Sequence, residues 1–222
     1  MSQTAALHVQ EVSKYYDRNG RHITAMENVS VEVKPGTFMV IRGPSGCGKS
    51  TLLLAAGGLL RPDAGKVMVG EEDLYALSPN QRTVFRGKNI GFVFQQFYLV
   101  PYLTVLENVK MPGIALEIEG LDARAAELLG RFRLSERMEH FPSELSIGER
   151  QRVALARALI AKPGVVLADE PTGNLDVENE KIIVDCLWEY AQNGGAVLMA
   201  THGLRTDGFD HVVELEQGRL KT

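Results

Sequence analysis

Residues 43–50 read GPSGCGKS, and no other stretch restricts so narrowly what this chain can fold into. The octet fits G-x-x-x-x-G-K-[ST], a loop set between a buried strand and the start of a helix. Gly43, Gly46 and Gly48 let the backbone curl so that several N–H groups converge on one point. The apolar run from Thr51 to Leu60 predicts a helix whose positive end faces the same point. Pro44, Ser45, Cys47 and Thr51 complete the candidate phosphate cradle. In it Lys49 brings a mobile cation to β- and γ-phosphates, and the Ser50 hydroxyl can ligate Mg2+. A glycine-rich turn before a helix would look alike locally. The run TFMVI at 37–41 reads as a buried strand and favours the phosphate loop.

The chain has 222 residues, enough to bury a full core in one or two domains. With 45% hydrophobic and 23% charged residues it has the balance of an ordinary globular protein. A formal net charge of −4 argues against nucleic acid as a partner. Two cysteines, Cys47 and Cys186, make no disulfide framework and suit a reducing compartment. The opening MSQTAALHVQ lacks the apolar core of a secretory leader. The longest apolar run, TLLLAAGGLL, is too short to cross a bilayer. If the protein works at a membrane, another chain must supply the spanning part.

Residues 1–70 read mostly as strands. ENVSVEVKPG alternates, with Val29, Val31 and Val33 on one face, and ends in a Pro-Gly turn. GKVMVG (65–70) and NIGFVF (89–94) are further short strands. Pro112 and Gly113 interrupt the next stretch, and residues 121–134 predict a helix with Asp122 as a candidate N-cap. From residue 146 helix and strand alternate: a helix over 146–161, a wholly apolar strand VVLA (165–168), an amphipathic helix over 177–192 closed by Gly194 and Gly195, and a buried strand AVLMAT (196–201). Residues 212–215 and 219–220 flank a Gln-Gly turn as a terminal hairpin. Trp188 shares a helical stripe with Ile183, Val184, Leu187 and Ala191, which marks it as core. The expected architecture is α/β: a P-loop NTPase core with a mainly parallel sheet and an N-terminal antiparallel β subdomain (1–95 and 146–222), with an inserted helical subdomain at about 96–145.

A phosphate loop needs a metal anchor and a means of activating water. LADEP (167–171) carries both types of group. Asp169 ends an apolar strand, where it can hold Mg2+, and Glu170 follows as a candidate general base. Two carboxylates at a strand end could also be a solvated terminus; the phosphate loop tips the balance. His202 ends AVLMAT in the same way and can orient water and sense a γ-phosphate, and Gln95 after NIGFVF can touch both metal and water. Ser146, Ile147, Gly148 and Glu149 match a capping box, S-x-x-E. A capped helix end is also a second anion site. One nucleotide is not easily cradled by both helix ends of one subunit, so the economical arrangement is a head-to-tail homodimer with two-fold symmetry.

The ordered set of phosphate loop, Gln95, LSIGE, LADEP, NLD (174–176) and His202 resembles the ATPase subunit of ABC transporters over nearly the whole chain. FVFQQFYLVPYLTVLENV and LADEPTGNLD are most similar to the LolD/MacB/FtsE branch. The resemblance implies ATP hydrolysis with Mg2+, closure of two copies around nucleotide, and an integral membrane permease as partner, with the chain peripheral on the cytoplasmic face. It implies export or extraction of an envelope substrate; the alternative is an FtsE-like regulatory ATPase that signals without transport. By motif, Tyr16 would stack on adenine, although strand packing is its other reading. Ser146 and Gly148 would reach the partner's γ-phosphate and Asp176 would cross the dimer interface. Phe97, Tyr98, Val100, Pro101 and Tyr102 would receive a helix of the permease or else form core. Three positions depart from the usual pattern: Ile147 replaces glycine, Glu149 replaces glutamine, and Gly203 replaces aspartate. They predict a looser ATP-bound dimer and slower turnover. Cys47, beside Lys49 and a helix N-terminus, is expected either to be a reactive thiol whose alkylation blocks activity or an inert loop residue.

Overall fold

The computed structural model describes residues 6–18, 20–203, 209 and 211–221. The leader reading at the chain start falls partly on residues 1–5, outside the described residues. In chain order the elements are β1 (Leu7–Arg18), β2 (Arg21–Val33), β3 (Phe38–Arg42), α1 (Lys49–Ala56), β4 (Ala64–Val69), β5 (Glu72–Asp73), α2 (Pro79–Asn89), β6 (Ile90–Val93), α3 (Val105–Ala115), α4 (Leu121–Arg131), α5 (Ile147–Leu159), β7 (Val165–Asp169), α6 (Val177–Gln192), β8 (Ala196–Thr201), β9 (His211–Glu216) and β10 (Arg219–Leu220). They form two sheets. One is antiparallel, in the order β2-β1-β4-β5. The other runs β10-β9-β3-β8-β7-β6, parallel except for the β9–β10 hairpin.

The wholly apolar central strands need cover on both faces, and two separate cores supply it. Val165 and Leu167 of β7 and Leu198 and Ala200 of β8 pack with Leu52 and Leu53 of α1 and the valines of β1, β2 and β4. Their neighbours Val166, Ala168, Val197 and Met199 face the other way, onto α3, α4, α5 and α6. Val29, Val31 and Val33 are buried together as their alternation requires. Trp188 meets the Phe38 ring edge-on at 5.1 Å and stacks on Phe209 at 5.4 Å, which bears out its core role. This layering sets the C-terminal ends of β3, β7 and β8 side by side, where the chemistry-bearing residues lie.

Four local expectations need correction. Helix α1 stops at Ala56 rather than running to Leu60, because Gly57 caps it and Gly58 turns left-handed at φ 68°. Helix α2 was not anticipated: its sequence PNQRTVFRGKN is mostly polar and none of its residues is fully buried, although Phe85 packs against the core, and a Ser78–Gln81 capping box with Pro79 in the first turn starts it. Helix α3 continues through Pro112, held by the Thr104–Glu107 capping box and by buried Val105 and Val109. The N-cap of α4 is left-handed Gly120, not Asp122, which sits in the first turn and pairs with Lys110.

Candidate active site

Residues 43–50 wrap the start of α1. Gly48 is its N-cap at φ 110°, in the left-handed region, and no side chain caps the helix. A Cβ on Gly48 would lie 2.4 Å from the Ala25 carbonyl, so close backbone approach and conformation both require glycine. The first-turn N–H groups of α1 are thus left free of any capping side chain and available to an anion. Beside them lies a cavity of about 260 Å³ lined by Ala25, Ser45, Gly46, Gly48, Lys49, Ser50, Thr51, Gln95, Glu170 and His202. Five segments far apart in sequence therefore meet at one cavity, among them β2, which supplies Ala25. Nothing in the sequence singled out that alanine, since a small apolar residue on a strand carries no chemical signal.

Lys49 is buried and donates from Nζ to the carbonyls of Gly43 at 2.7 Å and Pro44 at 3.1 Å. Its Nζ also lies 3.7 Å from Glu170 Oε1. Glu170 follows β7 at φ 47°, a left-handed backbone that a non-glycine residue holds only under constraint from its surroundings. Its N–H donates to the Ala200 carbonyl at 2.9 Å, and its Oε2 accepts from the His202 N–H at 3.2 Å and lies 2.7 Å from His202 Nδ1. The carboxylate is thereby aimed at the cavity with one oxygen toward the lysine and the other toward the histidine.

Asp169 sits beside the Ser50 hydroxyl, and its Oδ1 is buried without a hydrogen-bond partner. Burial pushes its carboxyl up, Glu170 adds to that, and the Ser50 hydrogen bond and Lys49 oppose it. An orphaned buried carboxylate oxygen next to a hydroxyl fits the inner edge of a Mg2+ site, which takes one or two protein oxygens and leaves the rest to water and phosphate. The folded state binds the Asp169 proton more tightly than the unfolded state. Its stabilising contribution is therefore full below the unfolded pKa and is lost as pH rises through the folded one. Asp169→Asn is expected to raise the stability of nucleotide-free protein at neutral pH by about 1 kcal/mol, read as a higher Tm, while abolishing Mg2+-dependent turnover. A lower Tm would show that the carboxylate is satisfied in place.

Several expected residues lie elsewhere. Tyr16 is exposed on β1, paired with Ile23 and with Lys14 Nζ 5.6 Å from its ring, and is not part of the cavity lining. Cys47 is buried, 5% exposed, within the core under α1. Burial favours the inert alternative over the reactive thiol: the turn points this side chain inward while its N–H donates to the Pro44 carbonyl and its C=O accepts from the Gly218 N–H. Ser146, Ile147, Gly148, Glu149 and Asp176 stand apart from the cavity at the N-termini of α5 and α6. The capping box at Ser146 is present: Ser146 Oγ accepts from the Glu149 N–H at 3.2 Å, and Glu149 Oε2 accepts from the Ser146 N–H at 2.8 Å. Burial pushes the Glu149 carboxyl up, but bonds from Ser146 and Arg137 outweigh it and hold the group below its usual range.

A residue absent from the sequence reading joins these two helix ends. Asn179 donates from N and Nδ2 to Asp176 Oδ1 at 2.8 and 2.9 Å, and its Oδ1 accepts from Arg152. Its amide fills the space beside Gly148, where an added Cβ would lie 2.4 Å from Asn179 Cγ. Only the D-x-x-N spacing, an Asx-type cap, hinted at it.

Residues 26–173 match the family model described as ABC transporter. This chain belongs to the ABC transporter family. Its relatives place it among the ATP-binding subunits of the LolD-containing branch. A lipoprotein-releasing system ATP-binding protein, LolD 1, of Rhodopirellula baltica is 44% identical over 216 residues, covering 96% of this cassette and 94% of the relative. The LolD of Pseudomonas fluorescens is 42% identical over 224 residues, covering 99% of both. Among solved structures, the ATP-binding cassette MJ0796, a dimer in a post-hydrolysis state bound to ADP and Pi, matches with a TM-score of 0.91, 37% identity and 97% of each chain covered. The cassette is thus an ABC-type ATPase with the expected α/β P-loop fold.

Proposed function

We propose that this cassette hydrolyses MgATP between two copies of itself and so drives a separate integral membrane permease. It would sit on the cytoplasmic face of the membrane and act in the release or extraction of a lipidated or similarly hydrophobic envelope substrate. The observation that carries the reading is the convergence of Lys49, Ser50, Gln95, Asp169, Glu170 and His202 on the free N-terminus of α1. Relatives named as lipoprotein-releasing ATP-binding proteins support the substrate class, and the dimeric MJ0796 cassette supports closure around nucleotide. No helix among the described residues is long and apolar enough to cross a membrane.

In this reading the α1 N-terminus and Lys49 hold the triphosphate. Lys49 exchanges the Gly43 and Pro44 carbonyls for phosphate oxygens, and Glu170 takes the proton of the attacking water while His202 orients it and contacts the γ-phosphate. Bound between Ser50, Asp169 and Gln95, Mg2+ would neutralise charge on the phosphate oxygens. Ser146, Gly148 and Asp176 act on the nucleotide of the second copy, and Tyr16 meets adenine. Phosphate release from MgATP by the purified chain, and co-purification of a permease when it is expressed with its genomic neighbours, test the two halves of the proposal.

Ile147, 45% exposed at the first position of α5, stands where the partner's triphosphate would approach. Glu149 is turned onto its own helix, so crowding by Ile147 is the stronger candidate brake. Ile147→Gly is expected to raise steady-state turnover by about threefold, the size of a sub-kilocalorie steric relief. Unchanged or reduced turnover would remove crowding as the brake.

A further inference from the structure

Helix α5 carries Ser146 at one end and Arg157 in its last turn. An arginine there would ordinarily lie in solvent near the helix's negative end. This one reaches across instead. Its Nη1 donates to the Tyr98 carbonyl at 2.6 Å and its Nη2 to the Phe97 carbonyl at 2.6 Å. Both are short, charge-assisted bonds, and the planar fork matches two adjacent acceptors as an ammonium could not. Burial disfavours the charged form of the guanidinium, and the fork is spent on those two backbone carbonyls.

The segment it grips is not a passive loop. Gln95, on the lining of the nucleotide cavity, lies two residues before Phe97. Tyr98 holds φ 45°, left-handed for an aromatic residue, and meets Phe94 edge-on at 5.1 Å. Arg150, on the same helix as Arg157, places its guanidinium 5.7 Å from the centre of the Phe97 ring. On the far side, fully buried Asn108 clamps the following residues, accepting from the Val100 N–H at 2.7 Å and donating to the carbonyls of Val100, Leu103 and Thr104. The segment is thus fixed at two points, by α3 and by α5.

We propose that Arg157 is a positioning residue that locks the Gln95–Tyr98 segment to α5. Displacement of exposed Tyr98 then moves both Gln95 at this copy's nucleotide and Ser146, about 16 Å along the same rigid helix, at the nucleotide of the second copy. The inference rests on the function proposed above. Arg157→Met keeps most of the apolar stem and removes the fork.

With MgATP, Arg157→Met is expected to lower kcat by about tenfold while ATP affinity, measured by equilibrium binding, stays within about threefold. Arg157→Lys, which can reach one carbonyl, should fall between. An unchanged kcat in Arg157→Met overturns the proposal. So does a parallel loss of kcat, ATP affinity and Tm that Arg157→Lys fully repairs, since that outcome means packing alone. If Arg157→Met does not fold, Arg157→Lys carries the test: a kcat equal to the parent's overturns the lock, and a drop with affinity kept supports it. A parent chain without turnover overturns the proposed function itself and is read before any variant.

Discussion

Glu170→Gln is expected to lower kcat by about 10²–10⁴-fold, the usual contribution of a general base, while leaving ATP binding intact. Glutamine preserves the shape of the side chain that Lys49 and His202 flank at 3.7 and 2.7 Å. It cannot take the proton of the attacking water. Nucleotide therefore binds and stays, and the closed pair accumulates. In solution, ATP with Mg2+ should double the mass of this variant and ADP should not. Turnover within a few-fold of the parent would move the base elsewhere and leave Glu170 as a partner that only orients His202. His202→Ala acts on the same step through the same hydrogen bond. The two substitutions together should therefore cost little more than the worse one alone.

The parts of this site that sequence revealed share a physical property: their signal is local. The phosphate loop needs its glycines, lysine and serine in consecutive positions. Asp169 and Glu170 are adjacent, and the apolar strands β7 and β8 announce the edge on which Asp169 and His202 sit. The end of α6 was legible because the Gly194–Gly195 pair follows it, whereas the Asp176 cap at its start came only with the structure. What stayed hidden depends on other elements. Helix α2 buries none of its residues fully and carries few apolar ones, so its signal is weak. Pro112 suggested a break that the packing of Val105 and Val109 overrides. The direction of the Cys47 side chain is set by the turn, not by its charged neighbours. Asn179 and Arg157 matter through contacts with Gly148 and with the carbonyls of Phe97 and Tyr98, and no pattern within either helix encodes those partners.

Gly148→Ala is the substitution from which the largest effect for the fewest atoms is expected. A helix interior normally gains stability from this change, by roughly 0.5–1 kcal/mol. Here the new methyl would stand 2.4 Å from both Cγ and Oδ1 of Asn179 and 2.8 Å from its Nδ2. The asparagine must leave, and its bonds to Asp176 and Arg152 go with it. The bond from Arg152 ties α5 to α6 and the bonds to Asp176 hold the capped end of α6, beside the places proposed to meet the second copy. ATP-dependent pairing in the Glu170→Gln background should weaken by about tenfold, the scale of losing the partly buried, charge-assisted bond from Arg152. Nucleotide binding at the α1 cradle should persist, because Gly148 lies outside that cavity. Asn179→Ala alone should weaken pairing less, since it removes the same bonds but leaves no displaced amide to be rehoused. Combined with Gly148→Ala it should restore part of the loss, because the space vacated by the amide accepts the methyl. If the double variant pairs no better than Gly148→Ala alone, the glycine is required for its approach to the second copy's nucleotide and not for the packing of α5 against α6.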